Sequence, residues 1–233
     1  MLAASPRAST PSEVDLASNP TQSGGWRGGR AAIRRLFVRF TIMKKIILDD
    51  ILGFAAYEKV REEFRREIID KKKLRRVSVG DNISLVFENR DTVIFQIQEM
   101  LRAERITDLD KIREEITVYN ELIPNLGELS ATLFIEIEDQ THLRDELLKF
   151  LGIDEAVMFK VGDYRVPGRF EEGRAKEDKI SAVQYVRFPF DAAARQAFIA
   201  GAPTELAVDH VNYRASKVLS SAAQQSLSQD LLD

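Results

Sequence analysis

A stretch dense in polar groups starts at Glu88, Asn89, Arg90 and Asp91 and continues through Gln96, Gln98, Glu99, Arg102 and Glu104. Read as a hairpin, this stretch would gather several carboxylates near one turn. Carboxylates so gathered are the donor set of a hard or borderline cation such as magnesium, manganese or iron. Alternation would put Phe95 and Ile97 on one face and Gln96 and Gln98 on the other. Glu99 and Arg102 stand at i, i+3, the spacing of an ordinary helical ion pair. Two readings follow: a carboxylate–metal site built from Glu88, Asp91 and Glu99, or a polar face of side chains that meets a partner or ligand. No Glu-x-x-His pattern of the di-iron kind occurs here.

A second cluster is cationic. Lys71, Lys72, Lys73, Arg75 and Arg76 follow one another at the end of an apolar-periodic segment. Cations beside a hairpin can meet phosphates of a nucleotide or nucleic acid. They also suit the negative end of a helix. Aromatic residues are not interleaved with them as on a single-strand stacking platform, which argues against nucleic acid.

Two His remain, His142 and His210. Asp209-His210 has the residue types of a base and its orienter, and His210 would be the fourth ligand of a carboxylate site. Adjacent strand residues point to opposite faces, which weakens the pair. The chain has no Cys, which excludes disulfides, Cys-bound zinc, Cys-bound iron–sulfur clusters and a Cys nucleophile. Neither standard glycine-rich phosphate loop is present. No cofactor is expected beyond a carboxylate-bound metal, and whether the chain is an enzyme stays open.

These residues need a scaffold. The 233 residues are 44% hydrophobic and 30% charged, with net charge −3, enough for a packed core. No apolar run is long enough to span a bilayer, so no membrane association and a cytoplasmic location are expected. Of the 34 basic and 37 acidic residues, six and two lie in 1–42, leaving 28 and 35 in the remainder. The first 42 residues are thus net +4, rich in Ala, Ser, Pro, Gly and Arg, and the rest is net −7. Such a tail reads as a targeting peptide, a basic arm for an acidic partner, or an over-called start before Met43. The third fits best, because low-complexity text rarely packs, and 1–42 is expected to be a disordered extension.

From residue 43 the pattern is α+β. Asp49-Asp50 can cap a helix with Tyr57, Val60, Phe64 and Ile68 on one face, running to about Lys73. Strands are expected at 76–80, 83–88 and 92–97, with turns at Gly80-Asp81-Asn82 and Asn89-Arg90-Asp91. A short helix follows at 98–105. Thr107-x-x-Asp110 caps the next, through about Tyr119. These elements form one part, 43–127. The second part, 128–215, alternates strand 131–138, helix 141–151, strand 157–166, polar loop 167–179, strand 182–188, helix 191–200 and strand 205–209. That order is a ferredoxin-like βαββαβ unit packed on the first part. An edge of such a sheet can pair with a second copy, which allows a homodimer. Residues 216–233 are a C-terminal helix or tail.

Several blocks resemble one bacterial family. They are Arg-Arg-Val-Ser-Val-Gly at 75–80, the block at 87–100, Tyr-Asn-Glu-Leu-Ile-Pro at 119–124, the run at 127–137 and Tyr-Val-Arg-Phe-Pro at 185–189. In order and content they are similar to the family called domain of unknown function 3501, over about 43–215. The resemblance carries no catalytic residues. It implies an accessory role in peroxide or redox defence, beside a rubrerythrin-like protein and an iron–sulfur oxidoreductase.

Overall fold

A computed structural model describes residues 44–138, 140–171, 175–176 and 179–232. The expectations for 1–42 lie outside the described residues. The fold is α+β, as the patterning predicts.

The chain enters as an extended strap, residues 44–52, with a short 3-10 turn at Leu48–Asp50. Asp49-Asp50 therefore does not cap the first helix. Helix α1 is Phe54–Lys73, with Gly53 at its N-cap. Strands β1 (Arg76–Val79) and β2 (Ile83–Glu88) form the expected hairpin about Gly80. The expected third strand at 92–97 is instead part of helix α2, Arg90–Ala103. Asn89-Arg90-Asp91 is a helix start and not a turn. Helix α3 is Leu109–Asn120, capped by Asp108.

Strand β3 (Glu128–Ile135) follows, then α4 (Leu143–Leu148), shorter than expected and preceded by a 3-10 turn. The segment expected as one strand, 157–166, is a hairpin of β4 (Val157–Val161) and β5 (Tyr164–Pro167), because Gly162 takes a positive φ of 53° between them. The expected loop at 167–179 contains β6 (Arg169–Phe170) and β7 (Ala175–Lys176), and β8 (Lys179–Ile180) closes it. Then come β9 (Val183–Pro189), α5 (Ala192–Ile199), β10 (Thr204–His210), β11 (Tyr213–Val218) and α6 (Ser221–Leu231).

The larger strands belong to two antiparallel sheets, ordered β1-β2-β3-β9-β6 and β11-β10-β4-β5. The strands expected to make one ferredoxin-like sheet are thus divided: β3 and β9 lie in the first, β4 and β10 in the second. β2 pairs with β3 along its whole length, so the parts drawn at 43–127 and 128–215 share a sheet.

The inner faces of the two sheets share one core, with Leu85, Phe87, Leu133 and Phe188 from one and Phe159 and Leu206 from the other. Phe159 and Phe188 meet edge-on at 4.8 Å between centroids. The β5–β6 stretch passes from one sheet to the other at Gly168. A Cβ there would lie 2.7 Å from Val186 Cγ2 and 3.2 Å from Val157 O, so only glycine fits the crossing.

The outer face of the first sheet is covered by helices. A second core of Ile46, Val93, Ile97, Leu101, Ile116 and Ile123 joins α2, α3 and the strap, and Tyr185 of β9 packs against it. α1 lies against α2 through an aromatic ladder: Tyr57–Phe64 at 6.4 Å and Phe64–Phe95 at 5.6 Å, both edge-on. Of the four apolar α1 residues marked in the sequence, Tyr57 and Ile68 are buried, while Val60 is exposed.

Candidate functional site

The stretch 88–104 was the first candidate, and its residues diverge because they lie on a helix. Asn89 starts α2: its Oδ1 accepts from Thr92 N at 3.1 Å, and its own N–H donates to Thr92 Oγ1 at 2.9 Å. This reciprocal cap satisfies donors that the first turn would otherwise leave bare. From that start, successive residues are thrown 100° apart and find different neighbours.

Glu88 ends β2 and is 2% exposed. Its Oε2 accepts from Thr92 Oγ1 at 2.6 Å and Gln96 Nε2 at 2.9 Å, and its Oε1 from Thr132 Oγ1 at 3.2 Å. The positive end of α2 faces this carboxyl. Arg90 turns the other way, to Asp50 Oδ2 at 2.6 Å and Lys44 O at 3.1 Å. Burial works against ionisation of Asp50, but the Ile47 N–H and Arg90 outweigh it and hold the carboxyl below its usual range. Asp91 is exposed and paired with Lys71.

Gln98 closes on the strap. Its Oε1 accepts from Leu52 N at 2.7 Å and its Nε2 donates to Leu52 O at 3.1 Å. Glu99 faces α1, where Arg61 donates Nε at 2.8 Å and Nη2 at 2.7 Å in a fork, and Tyr57 OH donates at 2.7 Å. The Arg61 fork holds the Glu99 carboxyl below its usual range. Burial, with the bond to Glu99, pushes the Tyr57 phenol up. Arg102 pairs with Glu58 of α1. The eight side chains proposed as a ligand face thus bind the chain itself: four brace sheet, cap or α1, two hold the strap, and two make surface pairs between α1 and α2.

The four metal candidates are likewise apart. Glu88, Asp91 and Glu99 have the separate partners just given. His210 is 5% exposed at the end of β10: its Nε2–H donates to Leu151 O at 2.7 Å, and its Nδ1 accepts from Asn212 N at 3.2 Å. Both ring nitrogens are therefore used by backbone. Asp209 points outward to Arg214 at 3.0 Å, so the adjacent Asp-His pair is split across the strand. Among the described residues no group of three or more His, Asp or Glu is placed to hold a metal ion.

The basic run is also dispersed. Lys71 pairs with Asp91, and Lys73 with Asp70 at 2.8 Å. Arg76 donates to Ser84 Oγ at 3.0 Å, pairs with Glu136, and lies 5.9 Å over the Phe134 ring. Lys72 is half-buried. Arg75 points inward, 1% exposed, with Nε to Phe87 O at 2.8 Å, Nη2 to Glu88 O at 3.1 Å, Nη1 to Ser226 O at 3.3 Å, and an ion pair to Asp230. Of the run, Arg75 alone is withdrawn from the surface.

Two features escape the sequence reading. One is the strap seat, where Asn120 at the end of α3 accepts from Ile46 N at 2.8 Å and donates to Ile46 O at 2.9 Å. An isolated Asn and Gln carry no sequence signal for such a task. The other is an apolar cleft of about 200 Å³ where the start of α1, the end of α2 and the start of α3 meet. Leu101, Ile106 and Ile112 line it, and Leu52, Phe54 and Leu109 rim it at 44%, 50% and 55% exposure. Large apolar side chains this exposed and this close together are a mark of contact surfaces and ligand grooves.

A family model described as a protein of unknown function (DUF3501) matches residues 45–231. A solved structure from Burkholderia pseudomallei K96243, described as a novel protein of unknown function, is 35% identical, with a TM-score of 0.76 over 81% of this chain and 100% of that one. A search of curated proteins finds no match. The chain belongs to the DUF3501 family.

Proposed function

We propose that this DUF3501 protein is a non-catalytic accessory protein that docks a partner protein on the α1–α2–α3 end of the molecule. The observation that carries the reading is the apolar cleft with its exposed rim of Leu52, Phe54 and Leu109. The bonds of Glu88, Arg90, Gln98 and Glu99 to the chain itself support it, because they brace the helices that carry the cleft. The sequence resemblance supplies the partner class: a rubrerythrin-like protein and an iron–sulfur oxidoreductase in peroxide or redox defence. Members of one fold differ in their chemistry, so the partner class rests on analogy and the docking face on geometry.

The test is capture from the native cell with the full chain as bait. The Phe54→Asp and Leu109→Asp variants serve as paired controls, since both side chains are half-exposed and their replacement leaves the core intact. The reading expects rubrerythrin-like or iron–sulfur proteins on the wild-type bait and their loss from both variants. Equal retention by all three baits, or no such protein on any, overturns it.

A further inference from the structure

The strap, residues 44–52, is attached in an unusual way. Every described hydrogen bond that it makes outside itself goes to α2 or α3. Asn120 takes both the N–H and C=O of Ile46, Gln98 takes both the N–H and C=O of Leu52, and Arg90 takes Lys44 O. Lys45 Nζ adds a bond to Asn120 O at 2.6 Å, and Asp50 pairs with Arg90. Two side-chain amides therefore read main-chain groups on either side of the Leu48–Asp50 turn, six residues apart. The amide contacts read main chain and not particular side chains. The side-chain requirements are one buried anchor, Ile46, 2% exposed, with Leu48 and Ile51 partly buried beside it, and the Asp50 carboxylate that meets Arg90.

The strap is joined to α1 through Gly53. That residue is exposed and extended, and nothing lies within 4 Å of where a Cβ would stand. It is a free pivot. Lifting the strap breaks its bonds to α2 and α3 and takes Ile46 out of the second core, but breaks no bond in either sheet.

We propose that the α2–α3 groove is a peptide-binding site that the chain's own residues 44–52 fill in cis, and that the same segment of a second copy fills it in trans. The two seatings make identical contacts, so exchange costs only the association itself and the turn at Gly53. Opening is local, so exchange proceeds without unfolding the sheets. The strap and the docking cleft meet at Leu52 and Gln98, and either seating of the strap completes the cleft's rim.

The chain has no Cys, so single thiols can be introduced without background. Lys45→Cys and Glu121→Cys place one on the strap and one beside Asn120, both at exposed positions. Mixing the two full-length variants and adding a short bis-maleimide traps the trans seating as a mixed dimer. Lys45→Cys mixed with Val211→Cys, in the exposed turn between β10 and β11, measures collision. The expected yield is about tenfold above that control, which corresponds to about 1.4 kcal/mol of preference. It rises with concentration and falls to the control level when the Glu121→Cys chain also carries Asn120→Ala and Gln98→Ala. Hydrogen exchange gives a second measure: the Ile46 and Leu52 amides should exchange at least about 100-fold faster than that of Leu133. A mixed dimer no more abundant than the control at any concentration overturns the inference. So does a yield unchanged by removing both amides, or strap amides that exchange only with the sheets.

Discussion

Arg75 and Asp230 stand 155 residues apart and form an ion pair in the interior, at 1% and 2% side-chain exposure. Arg75 ends the α1–β1 junction and Asp230 ends α6. Together with the Arg75 bond to Ser226 O, the pair fastens the C-terminal helix to the first hairpin. Burial pushes the Asp230 carboxyl up, and Arg75 opposes it.

Removing one partner leaves the other charge buried. Asp230→Ala is expected to lower stability by about 3–5 kcal/mol, whereas Arg75→Met combined with Asp230→Leu costs much less. Urea unfolding of the three proteins checks this. A single variant within about 1 kcal/mol of wild type would show that water reaches the pair.

Acid should weaken the α1–α2 contact. The Glu99 carboxyl is held below its usual 4.5 by Arg61, so the folded state binds its proton less readily than the unfolded chain. Its stabilisation is full above that usual value and is lost as pH falls through the folded one. Asp50, also held low, acts with the same sign. Asp230, raised, acts oppositely: the folded state holds its proton more tightly, so its share falls as pH rises above 3.8. The slope of unfolding free energy between about pH 6 and 3 should be shallower in Glu99→Gln than in wild type. An unchanged slope would remove Glu99 from the acid limb.

The start of α2 can be tested at one atom. Asn89→Ala removes the acceptor for Thr92 N and should cost about 1 kcal/mol, while Asn89→Asp keeps the cap and is nearly neutral. Equal stability of the alanine and aspartate variants would contradict a capping role.

The sheet crossing is tight on both sides. Gly168→Ala puts a methyl against Val186 Cγ2 and Val157 O, and should cost about 1–3 kcal/mol. Val186→Ala on its own opens a cavity, but in the Gly168→Ala background it should restore part of the loss. Thermal unfolding of the four proteins gives the coupling; strictly additive effects would mean that the two side chains do not meet.

Much of the architecture is legible in the residues. The β1–β2 hairpin about Gly80, the Asp191 cap and Gly201 stop of α5, and strands β3, β9 and β10 follow from alternation, capping and glycine placement. Helix α2 does not follow at first reading. Thr92, Val93, Ile94 and Phe95 favour a strand by propensity, yet Val93, Ile97 and Leu101 also repeat at helical spacing. Packing against α3 and the strap decides for the helix, since burial of one face outweighs a weak local preference. The Asn89 and Thr92 pair was the available signal, and a turn uses the same residue types.

The sequence by itself determined the α+β class, the family and the identity of the polar residues, because these depend on composition and short-range period. It did not determine their partners. Whether Arg75 meets a phosphate or Asp230, whether Gln98 meets a ligand or Leu52, and whether four strands close one sheet or two depend on contacts between distant residues. Those contacts exist only once the sheets pack and the strap is seated. Local pattern carries the direction of a side chain along its own element, and only the tertiary structure supplies what stands opposite it.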